Sequence, residues 1–409
     1  MKGSFRFVML GLVAVAAVLA GLWQARPAAP LPIKIGVLHS LSGTMALSET
    51  PLVDAVRLAV EEINAQGGLL GRPLELVVAD GKSDANTAAA EAERLITQEQ
   101  VAVLFGCWTS ACRKAVKPVV EKHRHLLFYP VQYEGMEQSP NILYTGAAPN
   151  QQVVPGTRWA VQQFGRRVYL LGSDYVYPRT ANLIIRDLIE INGGEVLGER
   201  YLPLGSADVD AIVVDIIQKK PDAVLNTLNG DSNRYFLDAL EKAGLHNLPL
   251  VSFSMAEEEM KAWRGGRFTR HYAVWGYFQS LPGEENRRFV TAYQSRFGAE
   301  RVTSAPMEAS YLGVRLWAQA VREANSVDPV HVDPALLRQS IQAPAGILAV
   351  DAASRHLWNM VRVGRVLPDG QFEQVYSSNT PVRPSPWPFH RSQDAWRALL
   401  ENNAAGGVP

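Results

Sequence analysis

Sulfur is scarce in this 409-residue sequence: two cysteines cannot supply a disulfide scaffold in place of a hydrophobic core. Surplus charge is absent too, since 40 Lys and Arg balance 40 Asp and Glu. Without excess cations a phosphate backbone finds no electrostatic hold, so no nucleic-acid partner is expected. Neither G-x-x-x-x-G-K-[ST] nor G-x-G-x-x-G occurs, which removes the usual glycine-rich cradles for nucleotides. The G-x-S-x-G elbow of serine hydrolases is also missing. A small neutral or zwitterionic ligand fits this balance better than a polyanion.

The composition, 47% hydrophobic and 20% charged, suits a globular protein with a proper core, and the length calls for two domains or lobes. At the N-terminus Lys2 and Arg6 precede the unbroken apolar run FVMLGLVAVAAVLAGLW (7–23). Residues 1–29 therefore read as a secretory signal peptide or an uncleaved N-terminal anchor, placing the rest in the periplasm. The stretch LAGL (19–22) resembles a lipoprotein signal, but Leu22 stands where the lipidated cysteine would be, so no lipid is expected there.

From residue 33 short apolar segments alternate with amphipathic ones. IKIGVLHS, LELVVAD, VAVLFG and LLFYP read as strands separated by helices, the first helix running from about Pro51 to Gln66 with Thr50 as its cap. The pattern restarts at RVYLLGSD (167–174) and continues through DAVLNTLNG and PLVSFS. Such alternation predicts an α/β fold of two Rossmann-like lobes, each a parallel sheet covered by helices, facing a ligand cleft. The expected division is 32–150 plus about 280–345 in one lobe and 151–279 plus about 346–376 in the other. Three crossings between the lobes would account for the later segments, and the proline-rich tail 377–409 would lie along the surface.

Ligands of open parallel sheets bind beyond the carboxyl ends of the strands. The segments there are HSLSGTM (39–45), GCWTSA (106–111), YPVQYEG (129–135), GSDYVYP (172–178), NTLNGDSN (226–233) and SFSMAEEE (252–259). They are rich in aromatic, hydroxyl, amide and carboxyl groups and nearly free of Lys and Arg, which suits a neutral polar molecule. Rival chemistries are weaker. Cys107 and Cys112 with His123 and His125 do not match zinc spacing, because H-x-H is too close. Cys107 reads as a small buried apolar residue; an oxidising compartment allows a bond to Cys112, but a strand–helix turn is an awkward place for one. Ser110 sits where a nucleophile would, without the elbow around it. Tyr175 and Tyr177 alternate, so one of them should face the cleft. Glu257, Glu258 and Glu259 are each accounted for by a helix's first turn, and Arg113-Lys114 should face solvent.

Taken together, GCWTSA-RKAV, LLFYPVQYEGMEQSPNILYTGAAPNQQ, GSDYVYPRTAN, YLPLG, NTLNGDSN and AEEE resemble the urea-binding proteins of bacterial ABC transporters. These belong to the type 1 periplasmic-binding fold, with branched-chain amino-acid receptors and an amide-sensing regulator. The resemblance covers most of the chain after the leader. It implies a non-enzymatic receptor, acting as a monomer without cofactor or metal, that closes on urea or a short-chain amide and passes it to permease subunits. Similar domains also serve as sensors; an amide hydrolase is the rival of another class. By the positions of an aromatic, a serine and two tyrosines in the amide-sensing relative, it points at Trp108, Ser110, Tyr129 and Tyr175. The acidic residue of branched-chain receptors points, by the same resemblance, at Glu257. Urea itself offers four N–H donors and one carbonyl, so Thr109, Ser110, Gln132 and Asp231 are candidate acceptors. Here Ser or Thr is usual in the family where this chain has Cys112.

Overall fold

The computed structural model describes residues 30–405; the expected signal or anchor at 1–29 lies outside them. The first unit runs β1 (Ile33–His39), α1 (Ala46–Ala65), β2 (Leu74–Asp80), α2 (Ala85–Thr97), β3 (Leu104–Gly106), α3 (Ser110–Lys122), β4 (Leu127–Tyr129) and β5 (Ile142–Tyr144). The second runs α4 (Val153–Phe164), β6 (Arg167–Ser173), α5 (Val176–Ile191), β7 (Glu195–Leu202), α6 (Asp210–Lys219), β8 (Ala223–Thr227), α7 (Ser232–Lys242), β9 (Leu250–Ser252), α8 (Glu257–Ala262) and β10 (His271–Trp275). The parallel parts of the two sheets have the same strand order, β2-β1-β3-β4-β5 and β7-β6-β8-β9-β10. The order reverses between β1 and β3 and again between β6 and β8, which places a switch-point crevice at the strand ends of each lobe.

After β10 the chain returns to the first lobe with α9 (Glu284–Phe297), α10 (Ala305–Ala324) and α11 (Pro329–Leu336). Strands β11 (Ser340–Ala343), β12 (Gly346–Asp351) and β13 (His356–Leu357) extend the first sheet, and β14 (Arg362–Val366) and β15 (Phe372–Ser377) extend the second. The strands pairing in the second sheet thus begin at 362, and residues 346–357 belong with the first lobe, contrary to the boundary expected from sequence. Hydropathy could not reveal this, because β12 and β14 are both short strands and what separates them is the strand each pairs with. Three crossings join the lobes, near 145–152, 276–283 and 358–361. The first passes so close to the loop after β4 that a Cβ on Gly146 would lie 2.1 Å from the carbonyl carbon of Val131.

The tail does not merely lie on the surface. Arg383 pairs with Asp351 in the first lobe, while Arg391 takes both carboxylate oxygens of Asp187 on α5 in the second. It ends in α12 (Gln393–Ala405), whose Trp396 is fully buried and donates its indole N–H to the Pro388 carbonyl.

Helix starts follow local chemistry at α2, where Asp84 caps the Thr87 N–H at 2.7 Å. At α1 they do not: the helix begins at Ala46 and holds Pro51 inside, one turn before the expected start. The extra turn is anchored from outside, since the Glu49 carboxylate meets His39 Nδ1 at 3.0 Å and accepts the Ser40 N–H at 2.9 Å. Among the described residues no helix is long and apolar enough to cross a membrane.

Candidate functional site

Strand β3 ends at Gly106, where a Cβ would lie 2.0 Å from the Leu38 carbonyl oxygen, so only glycine allows β3 to approach β1 this closely. Cys107 follows in a left-handed conformation, φ +62°, and is bonded to Cys112 through a disulfide. The reading of Cys107 as a plain buried apolar residue is therefore corrected. The left-handed turn swings its side chain back over the first turn of α3, which brings Cα to Cα within 5.6 Å, well inside disulfide range. Trp108, Thr109 and Ser110 are held in the loop this bond closes. Thr109 caps α3, its hydroxyl oxygen accepting the Cys112 N–H at 3.1 Å.

Arg113 is not solvent-facing but wholly buried, the second correction in this stretch. Its Nε donates to Glu137 Oε1 at 2.8 Å, Nη2 to Glu134 Oε1 at 2.8 Å, and Nη1 to the Ser110 hydroxyl oxygen at 2.8 Å. The Tyr129 and Tyr133 rings flank its guanidinium at 5.1 and 4.7 Å. Burial pulls the guanidinium pKa down, but the two carboxylates outweigh it and hold the pKa well above its ordinary value. Burial likewise pushes the Glu137 carboxyl up, yet Arg113 and Lys114 outweigh it and keep the group at about 2. The Ser110 hydroxyl donates to Glu134 Oε2. Two buried acids, one buried arginine and the partly exposed Lys114 make a charge-balanced cluster with no cation left over.

The second lobe closes on this wall. Trp108 Nε1 donates to Asn229 Oδ1 at 3.0 Å. Gln132 Nε2 donates to the Phe253 carbonyl at 2.9 Å and to the Ser254 hydroxyl at 3.1 Å. Tyr129 donates its phenol proton to the Trp108 carbonyl at 2.5 Å, tying the end of β4 to the loop after β3. Tyr175 and Tyr177 stand 6.5 Å apart between their ring centres, both buried. Strand alternation does not apply to them, because Tyr175 is the last extended residue and Tyr177 lies in the first turn of α5. Burial raises both phenol pKa values, with Tyr129 and Glu134 adding to the effect in each case. Two polar atoms here are buried without a hydrogen-bond partner, Gln132 Oε1 and the Tyr177 hydroxyl. Unpaired buried groups are costly, which makes both atoms candidates for a ligand contact.

Residues 33–393 match the family described as "Periplasmic binding protein domain". The chain belongs to this family. A curated relative of this binding protein, "Leu/Ile/Val-binding protein homolog 7" of Brucella melitensis, is 28% identical over 357 residues, covering 81% of this chain and 86% of the relative. A solute-binding protein of Rhodopseudomonas palustris HaA2, solved in complex with p-hydroxybenzoic acid, superposes with TM-score 0.78 at 23% identity, covering 88% of this chain and 99% of that one. The branched-chain receptor LivJ of Streptococcus pneumoniae, solved with isoleucine, gives TM-score 0.75 at 20% identity, covering 85% and 98%. These likenesses bear out the two-lobed α/β fold.

Of the residues singled out from sequence, the binding protein brings Trp108, Ser110, Tyr129, Gln132 and Tyr175 into one neighbourhood. Thr109 lies between Trp108 and Ser110 and lines a small cavity with Tyr175, but its hydroxyl oxygen accepts the helix-cap bond. Two others stand apart. Asp231 is partly exposed, and its backbone N–H, not its carboxylate, reaches across to the Thr44 hydroxyl at 3.0 Å. Glu257 lies against the second crossing, Oε1 accepting the Gln279 N–H at 2.9 Å and Oε2 unpartnered, and burial pushes its pKa up to about 8. Sequence reasoning missed Arg113, Glu134, Tyr177 and Asn229. The first two were concealed by the default that a charged residue is solvated. The third was visible in GSDYVYP once the helix start is known.

Proposed function

We propose that this periplasmic binding protein is a receptor for urea that closes on it between the lobes and delivers it to an ABC permease. The observation carrying this reading is the charge balance beside the end of β3: the buried cation there, Arg113, is consumed by Glu134, Glu137 and Ser110. p-Hydroxybenzoic acid and isoleucine, found in the two solved relatives, both carry a carboxylate. Burying a carboxylate against this wall would leave it without a counterion, which is far costlier than burying a neutral amide. Urea instead needs acceptors for its N–H groups, which Gln132 Oε1 and the Ser110 oxygen offer.

The nearest rival is a short aliphatic amide, favoured by the buried side chain of Val131 beside Gln132, which could cover a methyl group. Four heavy atoms at a ceiling of about 1.5 kcal/mol each limit urea to roughly −6 kcal/mol, a dissociation constant of some tens of micromolar. Calorimetric titration of the purified protein with urea, acetamide, formamide, isoleucine and 4-hydroxybenzoate tests the reading. Urea should bind most tightly, with acetamide next and the carboxylates silent. Tight binding of either carboxylate would overturn it. No ammonia should be released from urea or acetamide on prolonged incubation; release abolished by Ser110→Ala would make the protein a hydrolase.

A further inference from the structure

We propose that Glu134 is the specificity-determining positioning residue of the cleft: it takes the Ser110 hydroxyl proton, fixes that hydroxyl as an acceptor, and so selects ligands that present N–H groups. The inference rests on the neutral-amide reading above and adds the residue that enforces it.

A serine hydroxyl has one proton to donate and two lone pairs to accept with, and in most settings it rotates to suit its partner. At Ser110 it cannot. Arg113 Nη1 lies 2.8 Å from the oxygen, and a guanidinium can only donate, so one lone pair is spent there. Glu134 Oε2 is within hydrogen-bond reach, and an ionised carboxylate can only accept, so the proton is spent there. One lone pair remains, and that is all Ser110 has left for a ligand.

The lock is itself held from behind. Glu134 Oε1 receives Arg113 Nη2, Glu137 receives Nε, and two tyrosine rings enclose the guanidinium. Ser110, Arg113 and Glu134 are 1%, 0% and 2% exposed, so no water competes for these bonds and the whole set is pre-organised. Gln132 is oriented by the same logic: its Nε2 faces the Phe253 carbonyl, which can only accept, and this leaves the amide oxygen, buried and unpartnered, as a second acceptor. Two acceptors of fixed sense match the N–H groups of a urea or primary amide. A carboxylate or ester oxygen placed against Ser110 would meet a lone pair. The charges nearest it do not reverse this preference, because the arginine's field is offset by Glu134 and Glu137.

Glu134→Gln reverses the polarity at one atom. The new amide keeps its oxygen toward Arg113 and turns its NH2 toward Ser110, so the serine proton is released to point elsewhere. Titrations of wild type, Glu134→Gln, Ser110→Ala and the double variant with urea and with 4-hydroxybenzoate read this out. Wild-type binding of urea tests the functional reading; the variants test the lock. Each single variant should weaken urea binding on the order of tenfold or more. The double variant should be no weaker than Ser110→Ala alone, since Glu134 acts through the hydroxyl. A merely structural role for Glu134 would give additive losses instead, and that result overturns the proposal, as does urea binding by Glu134→Gln within about twofold of wild type. If Glu134→Gln does not fold, Ser110→Ala decides: it should lose urea binding tenfold with its thermal midpoint close to that of wild type. Unchanged urea affinity in that variant overturns the proposal as well.

Discussion

At the scale of single residues, the loop Cys107–Cys112 shows how a covalent bond and an unfavourable backbone angle are combined. A left-handed conformation costs a non-glycine residue roughly 1–2 kcal/mol, and Cys107 adopts it with φ +62°. The disulfide and the Cys107 N–H to the Leu38 carbonyl at 2.9 Å hold it there. Closing so short a loop restricts the unfolded chain by about 2 kcal/mol at most. The paired change of Cys107 and Cys112 to serine should therefore lower the unfolding free energy by up to about 2 kcal/mol in guanidinium titrations. It should also weaken ligand binding, because Trp108 and Ser110 lose their fixed loop. Stability unchanged on adding dithiothreitol would show that the bond constrains little. The residue types were readable from sequence here; the pairing was not, because it depends on a backbone angle that composition does not disclose.

At the scale of elements, closure is carried by a few contacts between helix starts and strand-end loops. The Ser48 hydroxyl on α1 donates to Glu259 on α8, and the Ser304 hydroxyl at the start of α10 donates to Glu258 at 2.9 Å. The acidic run that reads as helix-dipole complement is thus also a docking edge between the lobes. Trp108 to Asn229 is the clasp nearest the ligand neighbourhood. Trp108→Phe keeps an aromatic ring, though a smaller one, and strands the buried Asn229 oxygen, which costs about 1–3 kcal/mol in the closed form only. Ligand affinity should fall about tenfold while the thermal midpoint of the unliganded protein changes little; titration calorimetry and scanning calorimetry separate the two. The tail helix α12 contributes stability of another kind. Trp396→Ala removes a fully buried indole, and a loss of about 3–5 kcal/mol is expected in guanidinium unfolding.

At the scale of the whole molecule, buried titratable groups set how stability varies with pH. Burial raises Glu257 to about 8 and Glu308 to about 7, against an ordinary 4.5. Their contribution is complete below 4.5 and is lost as pH rises through 7 and 8. Burial lowers His271 to about 3 and His356 to about 4, against an ordinary 6.5, so the unfolded chain gains protons first as pH drops below 6.5. The two effects oppose each other between 4.5 and 6.5, and only the carboxyls act above that. Thermal midpoints should be nearly level from about pH 5 to 6.5 and fall from there to about pH 8.5. Glu257→Gln should flatten the alkaline fall by up to about 1.4 kcal/mol per pH unit. A midpoint rising across the alkaline range would contradict this assignment.

The sequence alone determined the alternation of strands and helices, the doubling of the α/β unit, and the six strand-end segments where polar and aromatic residues collect. These follow from local periodicity and from the rule that parallel strands expose their carboxyl ends to ligand. Within those segments the family resemblance pointed at Trp108, Ser110, Tyr129 and Tyr175, and urea's need for acceptors at Gln132. Only the tertiary structure decided that β12 pairs in the first sheet, that α1 starts a turn early on the Glu49 anchor, and that Arg113 is buried between two glutamates. Each of these depends on partners far away in sequence, and a charged or apolar residue reads the same whether its partner is water, a carboxylate or another strand. The sense of the Ser110 hydroxyl is the extreme case: it is set by two neighbours that can act in one direction only, and no property of serine reveals it.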